Sequence, residues 1–493
     1  MQPLSTLLSI DKTARQAVYL QIAVQLTALI RAGTLQAGQR LPGSRQMAEW
    51  LDVHRKTVVQ AYDELLLQGW LESRTGSGTF VAKQLPEVKP QRLPGNNAAG
   101  QPVQPKGFSF KPAPHLDREV IKPVSTYHLD DGLPDMRLAP LEDLSRAYRR
   151  QLLMGTPYLR LGYGDTMGAA KLRQVLSVYL SETRGLHCTP ENILIIRGSI
   201  MGMHLASTSF LEPGDTVVVG EMNYGGANMN FLQADARLLT IPVDEHGIVV
   251  DALEPICRRQ PVRMVYVTSH HYYPTTVALR ADRRMQLLQL ASAYGFIIFE
   301  DDYDYDFHYL GKPLLPLASA DRAGMVLYCG SFTKAFSPAF RLGWLVGPEH
   351  VIRHLAKLRR IIDRQGDTML ENAMAELLQS GIIQRHLRKS LRAYRQRRDV
   401  FCELLKNRLG NYVQFEAPAG GMAVWTHFDP KVDLEKLSQK ALQNDLYFND
   451  GGIYHPSSPS HNATRLGFAS STPEELERCV EIMARVIKQE YQG

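Results

Sequence analysis

The chain is poor in cysteine and has no long apolar run. Its five cysteines in 493 residues, at 188, 257, 329, 402 and 479, are scattered and odd in number. That excludes a disulfide framework and a clustered zinc site, and fits a protein of the reducing cytosol. No stretch of 18 or more apolar residues occurs, so a transmembrane helix is not expected. Met1 to Ile10 lacks the basic-then-apolar layout of a secretory leader, so the expected location is cytoplasmic, with no membrane partner. No internal repeat of fixed period is present. Gly (37) and Pro (28) are too few for a collagen-like or wholly disordered chain. Charge of one sign is not dominant either. A net charge of +6 permits an acidic partner such as DNA without demonstrating one. What is present is an ordinary globular balance, 44% hydrophobic and 22% charged, in a chain long enough for two to four domains.

Composition shifts once. Pro86 to Pro114 carries seven prolines in 29 residues, mixed with Gly, Gln, Asn and Lys, and apolar periodicity vanishes there. Proline fixes its own φ and restricts the residue before it, so the stretch reads as a partly extended linker. At full extension it would span about 90 Å. The expected domains are 1–82, a linker at 83–121, and a large domain at 122–493. In the first, Val18, Ile22, Leu26, Leu29 and Ile30 share one helical face. Ser44 is expected to cap a short helix with Met47, Ala48 and Leu51 inward. Arg55 opens a third helix with Val58, Val59, Tyr62, Leu65 and Leu66 inward. Two short strands then flank Arg74-Thr75-Gly76-Ser77-Gly78. Three helices and a hairpin make a winged helix-turn-helix plan, an α+β unit.

The large domain alternates. Asn192–Ile196, Thr216–Gly220, Met264–Thr268, Phe296–Glu300 and Met325–Cys329 are apolar runs of strand length. Helical stretches such as Asp282–Tyr294 lie between several of them. This predicts an α/β domain with a mostly parallel sheet, whose ligands bind beyond the carboxyl ends of the strands. Two such ends carry chemistry. Phe296–Glu300 runs into Asp301-Asp302-Tyr303-Asp304-Tyr305-Asp306. A calcium loop counted from Asp302 would need Gly and Glu where Phe307 and Pro313 stand, so no metal site is expected. The run at 325–329 is followed by Ser331, Thr333, Lys334 and, seven residues on, Arg341. A lysine ending a buried strand gains a nucleophilic amine by desolvation. The hydroxyls and the arginine can hold a phosphate beside it. Lysine, phosphate cradle and upstream Asp are what pyridoxal 5′-phosphate chemistry needs.

With these residues in place, residues 128–490 resemble the fold-type I aminotransferases. The resemblance implies that Lys334 forms the Schiff base with pyridoxal 5′-phosphate. It implies that Asp301 pairs with the pyridine nitrogen, Tyr303 with the phenolic oxygen, and that Tyr224 stacks on the ring. Ser199 and Ile200 of Arg197-Gly198-Ser199-Ile200, with Ser331, Thr333 and Arg341, would hold the phosphate at a helix N-terminus. Tyr163 of Tyr163-Gly164-Asp165 would reach the cofactor of the partner subunit, and Arg465 would bind an effector carboxylate. One departure stands out. Where many such enzymes carry Asn-Pro-Thr-Gly, this chain has Tyr273-Pro274-Thr275-Thr276, which puts efficient transamination in doubt. His270 and His271, on a strand, would face opposite ways and serve packing rather than a metal.

The small domain resembles the GntR family of winged helix-turn-helix regulators. The matching segments are Gly38–Arg45, His54–Val58, Ala61-Tyr62, Gly69–Leu71 and Gly76–Phe80. The resemblance implies DNA contacts from Ser44, Arg45, Arg55, Lys56 and Thr57, with Gly78 in the wing. Charge alone is silent on this: residues 1–82 hold eight Lys/Arg and six Asp/Glu, 8 − 6 = +2. The two domains in this order resemble the MocR subgroup of the GntR family. That implies a head-to-tail, domain-swapped homodimer that binds operator DNA and senses pyridoxal phosphate or an amino compound through an aldimine at Lys334. Two other readings stay open. One is an active aminotransferase with a secondary DNA-binding domain; the other is a regulator whose large domain only dimerises. Effector, operator and sign of regulation are not legible.

Overall fold

The computed structural model of the protein describes residues 4–14, 16–86, 107–109, 111–116, 124–311, 314–454 and 462–491. Most of the linker expected at 83–121 lies outside the described residues. The chain falls into two compact units, Met1–Ser109 and Phe110–Gly493.

The first unit contains α1 (Val18–Arg31), α2 (Ser44–Trp50), α3 (Arg55–Leu67) and a hairpin of β1 (Leu71–Arg74) and β2 (Gly78–Val81). The apolar faces of the helices and hairpin meet in one core that includes Ile22, Leu26, Met47, Val58, Ala61, Tyr62, Leu65, Trp70 and Val81. Two local expectations are corrected. Gly43, not Ser44, occupies the cap position of α2, and no side chain caps it. Val59 is exposed and Ala61 is buried in its place. The buried stripe of α3 runs 58, 61, 62, 65, and position 59 falls on its rim.

In the second unit a seven-stranded sheet is built from β4 (Ile193–Ile196), β5 (Thr216–Gly220), β6 (Arg237–Ile241), β7 (Met264–Val267), β8 (Ile297–Asp302), β9 (Val326–Ser331) and β10 (Gly343–Val346). A short strand, β3 (Tyr127–Leu129), precedes it. The spatial order is β4-β10-β9-β8-β7-β5-β6, and every pairing is parallel except the two made by β10. Both faces are covered. Val326 and Tyr328 join one core with Ile193, Ile195 and Val265. Leu327 and Cys329 join the other with Leu194, Ile196 and Tyr266. Successive side chains point to opposite faces, so a strand buried on both must be apolar throughout, as these runs are. The helices α4 (Ser199–Phe210) and α5 (Gly225–Gln233) start just beyond β4 and β5. A smaller antiparallel sheet follows, with order β11 (Val413–Phe415), β12 (Ala423–Phe428), β14 (Ala463–Gly467). Between the last two, β13 (Leu446–Phe448) returns to pair in parallel with β3. All five cysteines are free, and no helix among the described residues is long and apolar enough to cross a membrane.

Candidate functional site

In the first unit the expected contact residues gather at two helix starts. His54 caps α3, its Nδ1 accepting the Lys56 backbone N–H at 3.2 Å. The cap sets Arg55, Lys56 and Thr57 in the first turn, with Arg55 and Lys56 exposed. Arg55 Nε donates to Ser44 Oγ at 3.3 Å, tying the start of α3 to the start of α2, where Arg45 is exposed. Gly76 and Gly78 have φ of 74° and 111°, a region closed to most side chains. The Arg40 guanidinium lies beside Gly78, within 3.4 Å of where a Cβ would stand. His54 and Arg40 lie in the GntR-like segments but were given no role there. Their signals were present: a polar residue before a helical run, and a basic residue in the segment that bridges to Phe80.

In the second unit the strand ends converge. Asp301 lies at the end of β8, and its Oδ2 accepts the Tyr266 hydroxyl at 2.9 Å. Its Oδ1 is buried without a partner among the described residues. Burial raises the carboxyl to about 7, against the opposing Tyr266 hydrogen bond. Lys334 follows β9 by three residues and donates from Nζ to the Gly132 carbonyl at 2.7 Å. Desolvation lowers its pKa below the ordinary lysine value, with Asp131 and Asp130 resisting. Tyr303 donates to the His271 carbonyl at 2.9 Å and is desolvated well above the ordinary tyrosine pKa. Tyr224 stands at the cap position of α5, its ring edge-on to Tyr273 at 5.4 Å between centroids.

A second cluster forms at the start of α4. Gly198 precedes the helix with φ 78°, and Ser199 and Ile200 lie in its first turn. The Arg341 guanidinium sits over this turn, 3.0 Å from where a Gly198 Cβ would stand, and donates to the Arg197 carbonyl at 3.0 Å. A Cβ on Gly343 would lie 3.2 Å from both Gly198 Cα and Ser331 Cβ. Ser331, the helix start and Arg341 therefore border one small space, and Thr333 is half-buried in the turn leading to Lys334. Free backbone N–H groups, a hydroxyl and a guanidinium suit an anion such as phosphate.

Arg465, on β14, is buried. It donates from Nη1 to the Pro274 carbonyl at 3.0 Å and from Nη2 to the Tyr303 hydroxyl at 3.4 Å, and its Nε lies 3.3 Å from Asp131 Oδ1. Asp131 also accepts the hydroxyls of Tyr273 at 2.7 Å and Tyr454 at 3.2 Å. Tyr163 is not brought into this pocket: it is 79% exposed, with the Arg364 guanidinium 4.1 Å from its ring centroid. His270 and His271 lie past the end of β7 rather than on it. The first bonds the Leu314 carbonyl, the second Asp304 Oδ1 at 2.7 Å. The sequence reading missed Asp131, Gly132, Tyr266 and Tyr454. Tyr266 had a signal, a hydroxyl-bearing residue within a buried strand.

Comparison with known proteins agrees with this geometry. Residues 133–483 match the model of aminotransferase class I and II, and residues 18–81 match that of the bacterial regulatory proteins of the gntR family. The "Probable rhizopine catabolism regulatory protein MocR" of Rhizobium meliloti is 29% identical, over 95% of this chain and 94% of its own length. The HTH-type transcriptional regulator TauR of Rhodobacter capsulatus is 28% identical, over 93% and 94%. Among solved structures, the kynurenine aminotransferase of Pyrococcus horikoshii superposes with TM-score 0.69 at 28% identity, covering 75% of this chain and 92% of that one. An unpaired buried carboxylate oxygen, a desolvated amine and a glycine-lined turn under an arginine make a donor set that fits pyridoxal 5′-phosphate, the cofactor of this domain. The chain belongs to the aminotransferase class I and II family and joins that domain to a GntR-family helix-turn-helix, which makes it a transcriptional regulator of the MocR subgroup.

Proposed function

We propose that the large unit is a sensor: it binds pyridoxal 5′-phosphate at Lys334 and responds to the cofactor itself or to an amino compound that enters the pocket. The helix-turn-helix unit would carry that response to operator DNA within a homodimer. The observation that carries the reading is the joining, in one chain, of a DNA-binding fold to a pocket with a desolvated amine and an unpartnered carboxylate oxygen.

In this reading Lys334 holds the cofactor covalently. Asp301 Oδ1 would hold the proton of the ring nitrogen, and Tyr303 would bond the phenolic oxygen. Tyr224 would stack on the ring, while Ser199, Ile200, Ser331, Thr333 and Arg341 would hold the phosphate. Bound pyridoxal phosphate supplies an electrophilic carbon and an electron sink. Tyr163, exposed on its own subunit, would reach the cofactor of the partner subunit. Arg45, Arg55, Lys56 and Thr57, with Ser44 and Gly78, would meet DNA. A ligand shifts operator binding only if it favours one arrangement of the dimer over another.

Borohydride reduction followed by peptide mapping tests the pocket: the fixed cofactor is expected on the peptide bearing Lys334. Its absence, or its appearance on a different lysine, would overturn the reading. A second reading, an active aminotransferase, is favoured by the convergence of Lys334, Asp301 and Tyr303. Sustained conversion of an amino donor and a keto acid by the purified protein would establish it; a sensor shows none.

A further inference from the structure

The pocket contains a carboxylate of its own. β3 delivers the segment Asp130-Asp131-Gly132 between the smaller sheet and Lys334, and the segment is pinned. Asp130 accepts Leu133 N–H at 2.7 Å, Ser470 Oγ–H at 2.8 Å and His128 Nδ1 at 3.0 Å. Gly132, at φ 78°, packs on Met422, whose Cβ lies 3.2 Å from where a side chain would begin. Asp131 is therefore held in place rather than free to swing away. Its Oδ2 accepts Tyr273, and its Oδ1 accepts Tyr454 and faces Arg465 Nε at 3.3 Å.

The consequence for Arg465 is specific. A guanidinium recognises a carboxylate by two parallel N–H donors. Here Nη1 serves the Pro274 carbonyl, Nη2 the Tyr303 hydroxyl, and Nε faces Asp131. Asp131 already stands on the Nε side of the fork as an ion-pair partner at 3.3 Å, although Nε makes no hydrogen bond, so a second carboxylate reaching that side would meet the carboxylate of Asp131. Asp131, Asp130 and Asp304 act as negative neighbours of the Lys334 amine, and Arg465 as a positive one. The field favours a cationic ligand and opposes an anionic one.

We propose that Asp131 sets the ligand class of the Lys334 pocket, which takes primary amines lacking a carboxylate in preference to α-amino acids. The proposal rests on the sensor reading above. An amino acid would have to break the Asp131–Arg465 pair and leave Asp131 beside its own carboxylate; an amine without one disturbs neither.

The test uses full-length, cofactor-loaded protein freed of unbound cofactor by gel filtration. It is titrated with pairs that differ only by the carboxylate: isoamylamine against L-leucine, and ethanolamine against L-serine. The change in visible absorbance of the bound cofactor gives each apparent Kd. In the wild type each amine is expected to bind at least about tenfold more tightly than its amino acid. Asp131→Asn and Asp131→Ala free the arginine and are expected to tighten the amino acids by about tenfold while moving the amines less. Amino acids bound as tightly as amines by the wild type, or both classes shifted equally by the substitutions, would overturn the proposal. So would cofactor absorbance unmoved by any of the four. Should a variant fail to fold, as thermal melting would report, the wild-type ratio decides alone. Protein that carries no lysine-linked cofactor sinks the underlying sensor reading instead, so the two failures are distinct.

Discussion

The two units treat positive charge in opposite ways. In the helix-turn-helix unit Arg45, Arg55 and Lys56 are exposed and hydrated at the starts of short helices. In the pocket Arg465 is buried and the Lys334 amine desolvated, with their neighbours fixed within a few ångströms. A polyanion is bound through displaced counterions, so hydrated charges serve it by number and each is partly replaceable. A small ligand is bound in low dielectric, where one charge out of place costs several kcal/mol. The difference predicts large, all-or-none effects in the pocket and small, salt-dependent ones at the helix starts.

The sharpest break in that contrast is Lys334→Ala. Borohydride should fix no cofactor and operator binding should lose its ligand response, while gel-shift affinity without ligand stays within about twofold. A mutant that still responds would end the sensor reading. Next in size is Asp301→Asn, which on the sensor reading would leave the ring nitrogen without a carboxylate. Cofactor affinity, read by absorbance titration, is expected to fall on the order of a hundredfold, about 3 kcal/mol.

The same substitution has a pH signature in the cofactor-free protein. Unfolded, Asp301 titrates near its ordinary value of 3.8; folded, burial moves it to about 7. Between those values the folded state keeps a proton that the unfolded state has released. Stability therefore falls as pH rises, by up to about 1.4 kcal/mol per unit, and levels off above about pH 7. Thermal melts across that window should show a shallower slope for Asp301→Asn than for the wild type.

At the helix starts the effects shrink. Arg55→Ala and Lys56→Ala should each weaken operator binding several-fold and flatten its salt dependence by about one unit of slope, with cofactor absorbance unchanged. Unchanged gel-shift affinity in both would remove them from the interface. Smallest is Ser44→Ala. Its hydroxyl caps nothing and only accepts an exposed bond from Arg55, so denaturant melts should move by no more than about 0.5 kcal/mol.

Legibility followed distance along the chain. Five of the seven strands were readable because sheet burial on both faces forces unbroken apolar runs, and Lys334 and Asp301 because each stands at or just past the end of one; β6, exposed at Arg237 and Thr240, and the short β10, opening on a glycine, were not. Ser44 misled because serine is a good cap, yet Gly43 takes that place and the hydroxyl turns to a residue eleven positions on. Asp131 was not readable: its partners are residues 273, 454 and 465, brought to it by a sheet that no local pattern specifies. Tyr266 pairs with a carboxylate on the neighbouring strand, and only the register of β7 against β8 puts them together.

The pairing of β3 with β13 has a consequence in time. The segment bearing Asp131 reaches its place only when residues 446–448 arrive beside it, and Arg465 follows later still. Residues 18–81, by contrast, have their whole core within the first stretch of chain to leave the ribosome. At ordinary rates of synthesis the interval is on the order of tens of seconds. A nascent chain thus completes the helix-turn-helix unit well before the pocket around Lys334.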